Sequence, residues 1–303
     1  MNSNLLQSQF NISVFLNDIM QLTKFRLTLS VVFSSIAGYL LATNTINVSI
    51  ILLLFFGGFS IVGASNIINQ ILEKDLDKLM TRTKNRPLPN KRISMKFAIY
   101  FSIIMIFFGI YLLNEINFKT AFFSFVSLLI YTLIYTPLKT KTPFSVFFGA
   151  IPGALPFMLG WIAHSNKFGI EPGILFMIQF FWQFPHFWSI GWVLNDDYKK
   201  AGFKMLPSGN KDKKTGLLIL TYTMWMILIS ITPISDYSGS LNLGYFSSLV
   251  IIFLGLVMFY FAIDLIIKRS VKSAKKLMFS SIIYITLLQV IYVLDKILNG
   301  YVL

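Results

Sequence analysis

The sequence predicts an all-α membrane protein, a bundle of nine transmembrane helices around a central cavity that opens toward the cytoplasm. Composition is the first reason: 55% of the 303 residues are hydrophobic and only 13% are charged, unlike a soluble globular protein. The second is that apolar runs of roughly 17 to 23 residues recur along the chain, each able to cross about 30 Å of hydrocarbon. Helices are required there because lipid offers no partners to backbone polar groups.

The nine predicted spans form a single domain over residues 1–303, with residues 1–20 as an N-terminal cytoplasmic tail. The first span follows Lys24 and Arg26 and lacks a small-residue cleavage site. We therefore expect it to be retained and not removed as a signal peptide. The spans cover residues 27–43, 48–70, 95–113, 120–136, 144–163, 172–194, 216–234, 243–265 and 278–297.

Positive charge is concentrated in alternate connections of this predicted topology. Of the 26 Lys and Arg residues, only Lys119, Lys167 and Lys296 fall in connections assigned to the outer face. This pattern predicts a multi-pass protein of the cell inner membrane, with a cytoplasmic N-terminus and an external C-terminus. The net charge of +14 then serves orientation and attraction to anionic membrane lipid, and nucleic-acid binding is not expected. The absence of cysteine excludes disulfides and thiolate metal sites.

An acidic and amide stripe ends the second span. Asn69, Glu73 and Asp77 are spaced i, i+4, i+8, which puts them on one helical face, with Asn66 a turn earlier. Burying such groups in a membrane costs a few kcal/mol each, which favours a functional role. Oxygen ligands of this kind suit Mg²⁺, which commonly binds through one or two carboxylates together with substrate phosphates. The cationic Arg82 that follows, and Arg86 after it, suit the same phosphates.

A second group of polar residues lies in and after the sixth span. Gln183 and His186 are predicted about three turns before Asp196 in one helix, with Asp197 next to it. A histidine inside the membrane is a functional candidate. The alternative interpretation is a neutral imidazole paired with a neighbouring helix.

A third group follows the fourth span, where Tyr131, Tyr135 and Thr136 precede Lys139 and Lys141. Lysines and hydroxyls facing the same compartment as the acidic groups suit a phosphate. They suit equally well the ordinary positive flank of a membrane helix. The residues alone leave both interpretations open.

Together these motifs resemble those of the UbiA-type intramembrane prenyltransferases, which carry an Asn-x3-Asp-x3-Asp signature after the second span and a second acidic motif after the sixth. Here Asn69, Glu73 and Asp77 fill the first signature, with Glu in place of the first Asp. Residues 73–89, together with segments 182–187 and 196–207, are similar to the branch of this family that farnesylates protoheme. The likeness covers about residues 20 to 297.

The resemblance implies farnesyl diphosphate as donor, protoheme IX as acceptor, and heme O and diphosphate as products. It implies Mg²⁺ as cofactor and a downstream heme-modifying enzyme or oxidase assembly factor as recipient of heme O. His186 stands where the family usually has an Asp, a departure that the heme branch shares, so the number of metal ions stays open. The resemblance implies catalysis by Asn69, Glu73, Asp77 and His186, and metal binding by Asn69, Glu73, Asp77, Asp196 and Asp197. It implies diphosphate binding by Arg82, Arg86 and Lys139. Gln183 and His186 are implied to lie on the heme side.

Two other functions are compatible with parts of the sequence. The first is a prenyltransferase of the same fold that acts on a quinone or aromatic precursor; His186 and the Trp-Gln-Phe-Pro-His-Phe segment around it argue against this. The second is a secondary transporter, which predicts polar or Gly-broken segments near the bilayer midplane and access from both faces. The charged residues here gather at one face, which disfavours transport.

Overall fold

The computed structural model describes residues 11–299, and within that range the chain consists of helices joined by turns. Residues 12–20 of the predicted N-terminal tail are helical, and residues 1–10 lie outside the described part. The elements in order are α1 (Ile12–Leu22), α2 (Phe25–Ala42), α3 (Val48–Asp77), α4 (Met95–Asn114), α5 (Phe118–Leu129), a π-helical turn (Ile130–Tyr135), α6 (Thr136–Leu138), α7 (Ser145–Ser165), α8 (Ile170–Val193), α9 (Asn195–Lys200), α10 (Lys213–Ser230), 3₁₀ turns at Thr232–Ile234 and Asp236–Ser238, α11 (Tyr245–Lys268) and α12 (Val271–Asn299).

Eight helical segments of the described part are long and apolar enough to cross a membrane. Helix α8 corresponds to the predicted span 172–194 and has 24 residues, but it is less apolar because Gln179, Gln183 and His186 interrupt it. With α8 included, each predicted span has its helix, so the predicted all-α, polytopic bundle is confirmed. Helix α3 extends past the predicted end at residue 70 and carries the whole acidic stripe to Asp77.

Helices α2 and α7 pack closely because glycines lie at their contact. A Cβ atom at Gly38 would overlap the carbonyl oxygen of Phe157, and one at Gly160 would overlap the carbonyl oxygen of Ser35. Small residues of this kind let membrane helices approach backbone to backbone. Helix α2 also contacts α3, which contacts α5, which in turn contacts α7. These four helices therefore form a ring.

The chain leaves helical geometry between α8 and α9. Leu194 has ψ 12°, and α9 starts at Asn195 with Asp196 and Asp197 in its first turn. Carboxylates are favoured at that position because the start of a helix carries partial positive charge. The prediction that Gln183 and Asp196 share one helix is therefore wrong.

Candidate active site

The acidic stripe of α3 is buried along its whole length. The exposed fractions are 1% for Asn69, 4% for Glu73 and 0% for Asp77. Because α3 remains helical through Asp77, residues four apart point in one direction, and the predicted single face is confirmed. Asn66 on the same face is also buried, and its amide oxygen has no hydrogen-bond partner within residues 11–299.

Two of the predicted diphosphate-binding cations contact the carboxylates of this stripe. Lys139 Nζ lies 2.7 Å from Oε1 of Glu73. One guanidinium nitrogen of Arg86 donates to both oxygens of Asp77, at 2.8 and 3.0 Å. The structure thus brings together the end of α3, the loop after it and the segment after α6.

Lys24 is a third cation at the stripe, and no pattern in the sequence predicted it there. Its Nζ donates to Oδ1 of Asn69 at 3.1 Å, and its backbone has a φ of 49° between α1 and α2. Burial, together with the positive charges of Arg86 and Lys139, lowers the pKa of Lys24 to about 7. In the sequence, a lysine just before the first span cannot be told apart from the lysines that commonly flank membrane helices on the cytoplasmic side.

The segment around Lys139 is shaped by the π-helical turn Ile130–Tyr135. Its wider turn departs from the ordinary helical hydrogen bonding, and turns of this kind often occur at functional sites. Thr136 directly after it accepts a hydrogen bond from Nδ2 of Asn69 at 3.0 Å, and Lys139 Nζ lies 4.6 Å from the ring centroid of Tyr135. Burial acts to lower the pKa of Lys139, but the Glu73 carboxylate, together with Tyr131 and Tyr198, outweighs burial and raises that pKa.

The loop between α3 and α4 is held by acidic residues from other elements. Asp18 of α1 accepts two 3.0 Å hydrogen bonds from Nε of Arg92. Asp197 of α9 accepts hydrogen bonds from the backbone N–H groups of Thr81 at 2.8 Å and Arg82 at 3.1 Å. We refer to residues 78–94 as the α3–α4 loop. Its position therefore depends on contacts at both of its ends.

The two aspartates of α9 have different surroundings. Partial burial favours the neutral form of Asp197, but the hydrogen bonds from Thr81 and Arg82 outweigh it and hold its pKa at about 2. The side chain of Asp196 is 85% exposed and lies 3.4 Å from Nζ of Lys211. Within residues 11–299, neither carboxylate makes a hydrogen bond or ion pair with the stripe of α3. The Arg82 side chain is also exposed.

Gln183 and His186 face different helices. Nδ1 of His186 lies 2.9 Å from Oγ of Ser281 in α12, and its ring stacks on Trp182 with centroids 4.5 Å apart. The side chain of Gln183 lies against Gly153 of α7. This is the geometry of the alternative interpretation, an imidazole paired with a neighbouring helix. Among the described residues, Nε2 of His186 has no recorded hydrogen bond.

The donor set of the stripe fits a hard divalent cation. Carboxylates and amide oxygens are the ligands that Mg²⁺ prefers, and Asn69, Glu73 and Asp77 supply them from one buried face. Lys139 and Arg86 occupy the carboxylates here, and both cations also suit a phosphate. Within residues 11–299, no three Asp, Glu, His or Cys side chains stand close enough together to form a metal site by themselves. Oxygens of a bound diphosphate would therefore belong to the coordination shell.

The helical fold and the paired charges at the end of α3 suit a membrane-embedded enzyme with a phosphorylated substrate. The sequence profile of the UbiA prenyltransferase family matches residues 31–283, and the chain belongs to that family. It is 55% identical to the protoheme IX farnesyltransferase of Christiangramia forsetii over 95% of this chain and 96% of that one. It is 53% identical to the protein of the same name from Flavobacterium psychrophilum, with the same coverage.

Solved structures share the fold. A structure of digeranylgeranylglyceryl phosphate synthase superposes with a TM-score of 0.77 at 21% identity, over 93% of this chain and 98% of that chain. A UbiA homologue from Archaeoglobus fulgidus, bound to GPP and Mg²⁺, gives a TM-score of 0.66 at 15% identity, over 91% and 99% of the two chains. The protein is a prenyltransferase of the membrane, and the transporter alternative is set aside.

Proposed function

We propose that the protein transfers the farnesyl group of farnesyl diphosphate to a vinyl group of protoheme IX, giving heme O and diphosphate. The observation that carries this proposal is the meeting of three cations with a buried stripe of oxygen ligands at one end of the helix ring. The names of relatives at 51 to 55% identity support the choice of substrates. They favour protoheme over a quinone or aromatic precursor.

The cations are suited to the leaving group. Breaking the allylic C–O bond builds negative charge on diphosphate, and charges positioned in a water-poor site stabilise it more strongly than water does. Lys24, Arg86 and Lys139 surround the place where that charge would develop. Arg82 is exposed at the rim and would meet the diphosphate as it arrives.

Asn69, Glu73 and Asp77 would hold Mg²⁺ together with the diphosphate. The metal, when bound, neutralises phosphate charge. Asp196 stays a predicted ligand with an exposed carboxylate. Asp197 is predicted to be a ligand as well, but its oxygens already accept hydrogen bonds from the α3–α4 loop. We therefore assign it chiefly to positioning that loop.

An apolar cavity inside the helix ring is suited to the farnesyl chain. It has a volume of about 50 Å³ and lies between α2, α3, α5 and α7. On α3 its lining includes Val62, Ile61, Gly58 and Leu54, so it starts about two turns from Asn69 and extends away from the charged groups. An apolar chamber of this kind also keeps water from the reactive allylic carbon.

The transfer also needs a proton acceptor. The C–O bond of the donor breaks with its electron pair on diphosphate, and the farnesyl carbon bonds to the terminal vinyl carbon. A water oxygen adds to the inner vinyl carbon and releases one proton. We propose His186 for the heme side, as the acceptor of that proton or as a contact to the iron, and Gln183 stays a second predicted residue of the heme side. Its Nδ1 is engaged by Ser281, which leaves Nε2 for this role.

The proposed location is the cell inner membrane, with the N-terminus in the cytoplasm and the C-terminus outside. The basis is the predicted concentration of Lys and Arg in alternate connections. Asn69, Glu73 and Asp77 would then act at the cytoplasmic side, and heme O would pass to a downstream heme-modifying enzyme or oxidase assembly factor.

Product mass from membranes that contain the full chain tests the proposed reaction. Incubation with farnesyl diphosphate, protoheme and Mg²⁺ should yield heme O, chelation of divalent metal should stop the reaction, and added Mg²⁺ should restore it. Incubation with 4-hydroxybenzoate should yield no farnesylated product. A product from 4-hydroxybenzoate and none from protoheme would overturn the proposal.

The role of His186 has its own test. We expect His186→Ala to weaken protoheme binding and leave farnesyl diphosphate binding unchanged, both measured by equilibrium titration. The matched control is His164→Ala, since His164 is the other of the two histidines and is exposed at the end of α7. Unchanged protoheme binding in His186→Ala would remove the residue from the heme side.

A further inference from the structure

A groove on the outside of the bundle lies between α11 and α12, away from the stripe of α3. Its volume is about 320 Å³, and α11 packs on α10 and α12. Apolar side chains dominate it, and one lysine lies at its end. The lining residues are Leu254, Val257, Phe261, Lys276, Phe279, Ser280, Ile283 and Tyr284.

Positive charge collects at the end of the groove that holds Lys276. The last residue of α11, the turn after it and the first two turns of α12 carry five cationic side chains, all exposed. The one acidic side chain here, Asp264, is already occupied by Lys268 and by Ser273, whose hydroxyl donates to it at 2.6 Å. A net positive surface therefore remains. The cations are Lys268, Arg269, Lys272, Lys275 and Lys276.

The positively charged side chains and the apolar lining of the groove lie on the same face of α12. Lys272 and Lys276 are four residues apart, and Ile283 follows seven residues later, so all three share a face. The distance from Lys276 to Ile283 along the helix axis is about 10 Å. A ligand that fits has an anionic group at one end and an apolar chain of at least that length.

We propose that this groove binds one anionic phospholipid, with its phosphate on Lys272 and Lys276 and an acyl chain along the apolar lining. Basic pockets between transmembrane helices are suited to such headgroups. The groove opens to the surface of the bundle, where Phe279 and Ile283 are 58% and 54% exposed. It has no histidine in its lining that could bind iron, which disfavours protoheme as the occupant.

Lipid binding to the purified full chain in detergent, followed by native mass spectrometry, tests the proposal. We expect phosphatidylglycerol to bind more tightly than phosphatidylcholine, and Lys272→Gln with Lys276→Gln to weaken phosphatidylglycerol about 25-fold, at about fivefold per lysine. The matched control is Lys213→Gln with Lys214→Gln, an exposed pair at the start of α10. It should retain the affinity of the unaltered chain.

A second variant tests the apolar half of the groove while keeping both lysines. Ser280→Phe places a ring among the lining residues at a half-buried position, so we expect it to exclude the acyl chain and abolish tight phosphatidylglycerol binding. Equal affinity for phosphatidylglycerol and phosphatidylcholine would overturn the proposal. So would an equal loss of phosphatidylglycerol affinity in the Lys272 and Lys276 variant and in the Lys213 and Lys214 control. Displacement of phosphatidylglycerol by protoheme would also overturn it.

Discussion

The buried pair of Glu73 and Lys139 offers a way to separate stability from function. Their side chains are 6% and 10% exposed, with the charged atoms 2.7 Å apart. Glu73→Gln leaves an uncompensated ammonium group between two helix ends, and such a loss costs about 3 to 5 kcal/mol. The low end of that range is expected, because Lys139 retains its contact with the ring of Tyr135 at 4.6 Å.

Restoring charge balance should restore stability but not transfer. In Glu73→Gln with Lys139→Met, both members of the buried pair lose their charge, so we expect stability within about 1 kcal/mol of the unaltered chain. Farnesyl transfer should remain at least about 100-fold reduced, because the proposed metal ligand and phosphate cation are both gone. Unfolding in mixed micelles, followed by tryptophan fluorescence, measures the first quantity, and product mass measures the second.

An exposed ion pair of the same helix end supplies the control. Asp75 and Lys78 lie 2.7 Å apart with side chains 74% and 47% exposed, so Asp75→Asn should leave the free energy of unfolding nearly unchanged. If Glu73→Gln lowers the free energy of unfolding no more than Asp75→Asn does, the pair of Glu73 and Lys139 behaves as an exposed ion pair. If the double variant transfers farnesyl at the original rate, neither residue serves the reaction.

Three further outcomes are expected. Asp197→Asn should raise the KM for farnesyl diphosphate about tenfold and speed tryptic cleavage after Arg82, whereas Asp196→Asn should leave cleavage unchanged. Because the pKa of Asp197 is lowered to about 2, the stabilisation of the α3–α4 loop by its carboxylate is present above about pH 4. This stabilisation should disappear as the pH falls through about 2. Gly58→Leu should shift chain-length preference from farnesyl toward geranyl diphosphate by at least about tenfold, because the larger side chain fills the apolar cavity inside the helix ring. Gly58→Ala should leave the preference unchanged, because its Cβ would meet Val32 at 3.6 Å, an ordinary contact distance. Lys296→Met should lower the unfolding temperature without changing the KM for farnesyl diphosphate, because Nζ of Lys296 donates to backbone carbonyls at the end of α2 at 2.7 Å. An unchanged unfolding temperature would contradict this prediction.

The stripe of α3 could be predicted because its signal is local. Glu73 and Asp77 are costly to bury, and their spacing with Asn69 determines one helical face. The helical spans were equally predictable, since their length and apolarity are properties of contiguous sequence. Their ends differ, as at α3, where charged residues continue the helix to Asp77, and the π-helical turn Ile130–Tyr135 inside the fourth span was not predicted.

The contacts of Lys24 and Asp197 depend on tertiary packing and have no local signal. Lys24 meets Asn69 across 45 positions of sequence, and Asp197 meets Thr81 across 116. A lysine before a membrane helix usually orients the protein, and adjacent aspartates after a helix suggest metal ligands. Neither pattern identifies which partner the fold will bring.

The α3–α4 loop has a consequence for how ligands would bind. Asp18 holds Arg92, and Asp197 holds the amides at the start of the loop. A segment restrained at both ends is preorganised, so little conformational entropy remains to be lost on association. Recognition of the diphosphate should therefore proceed as docking to a rigid receptor, with an association rate limited by encounter and not by loop closure.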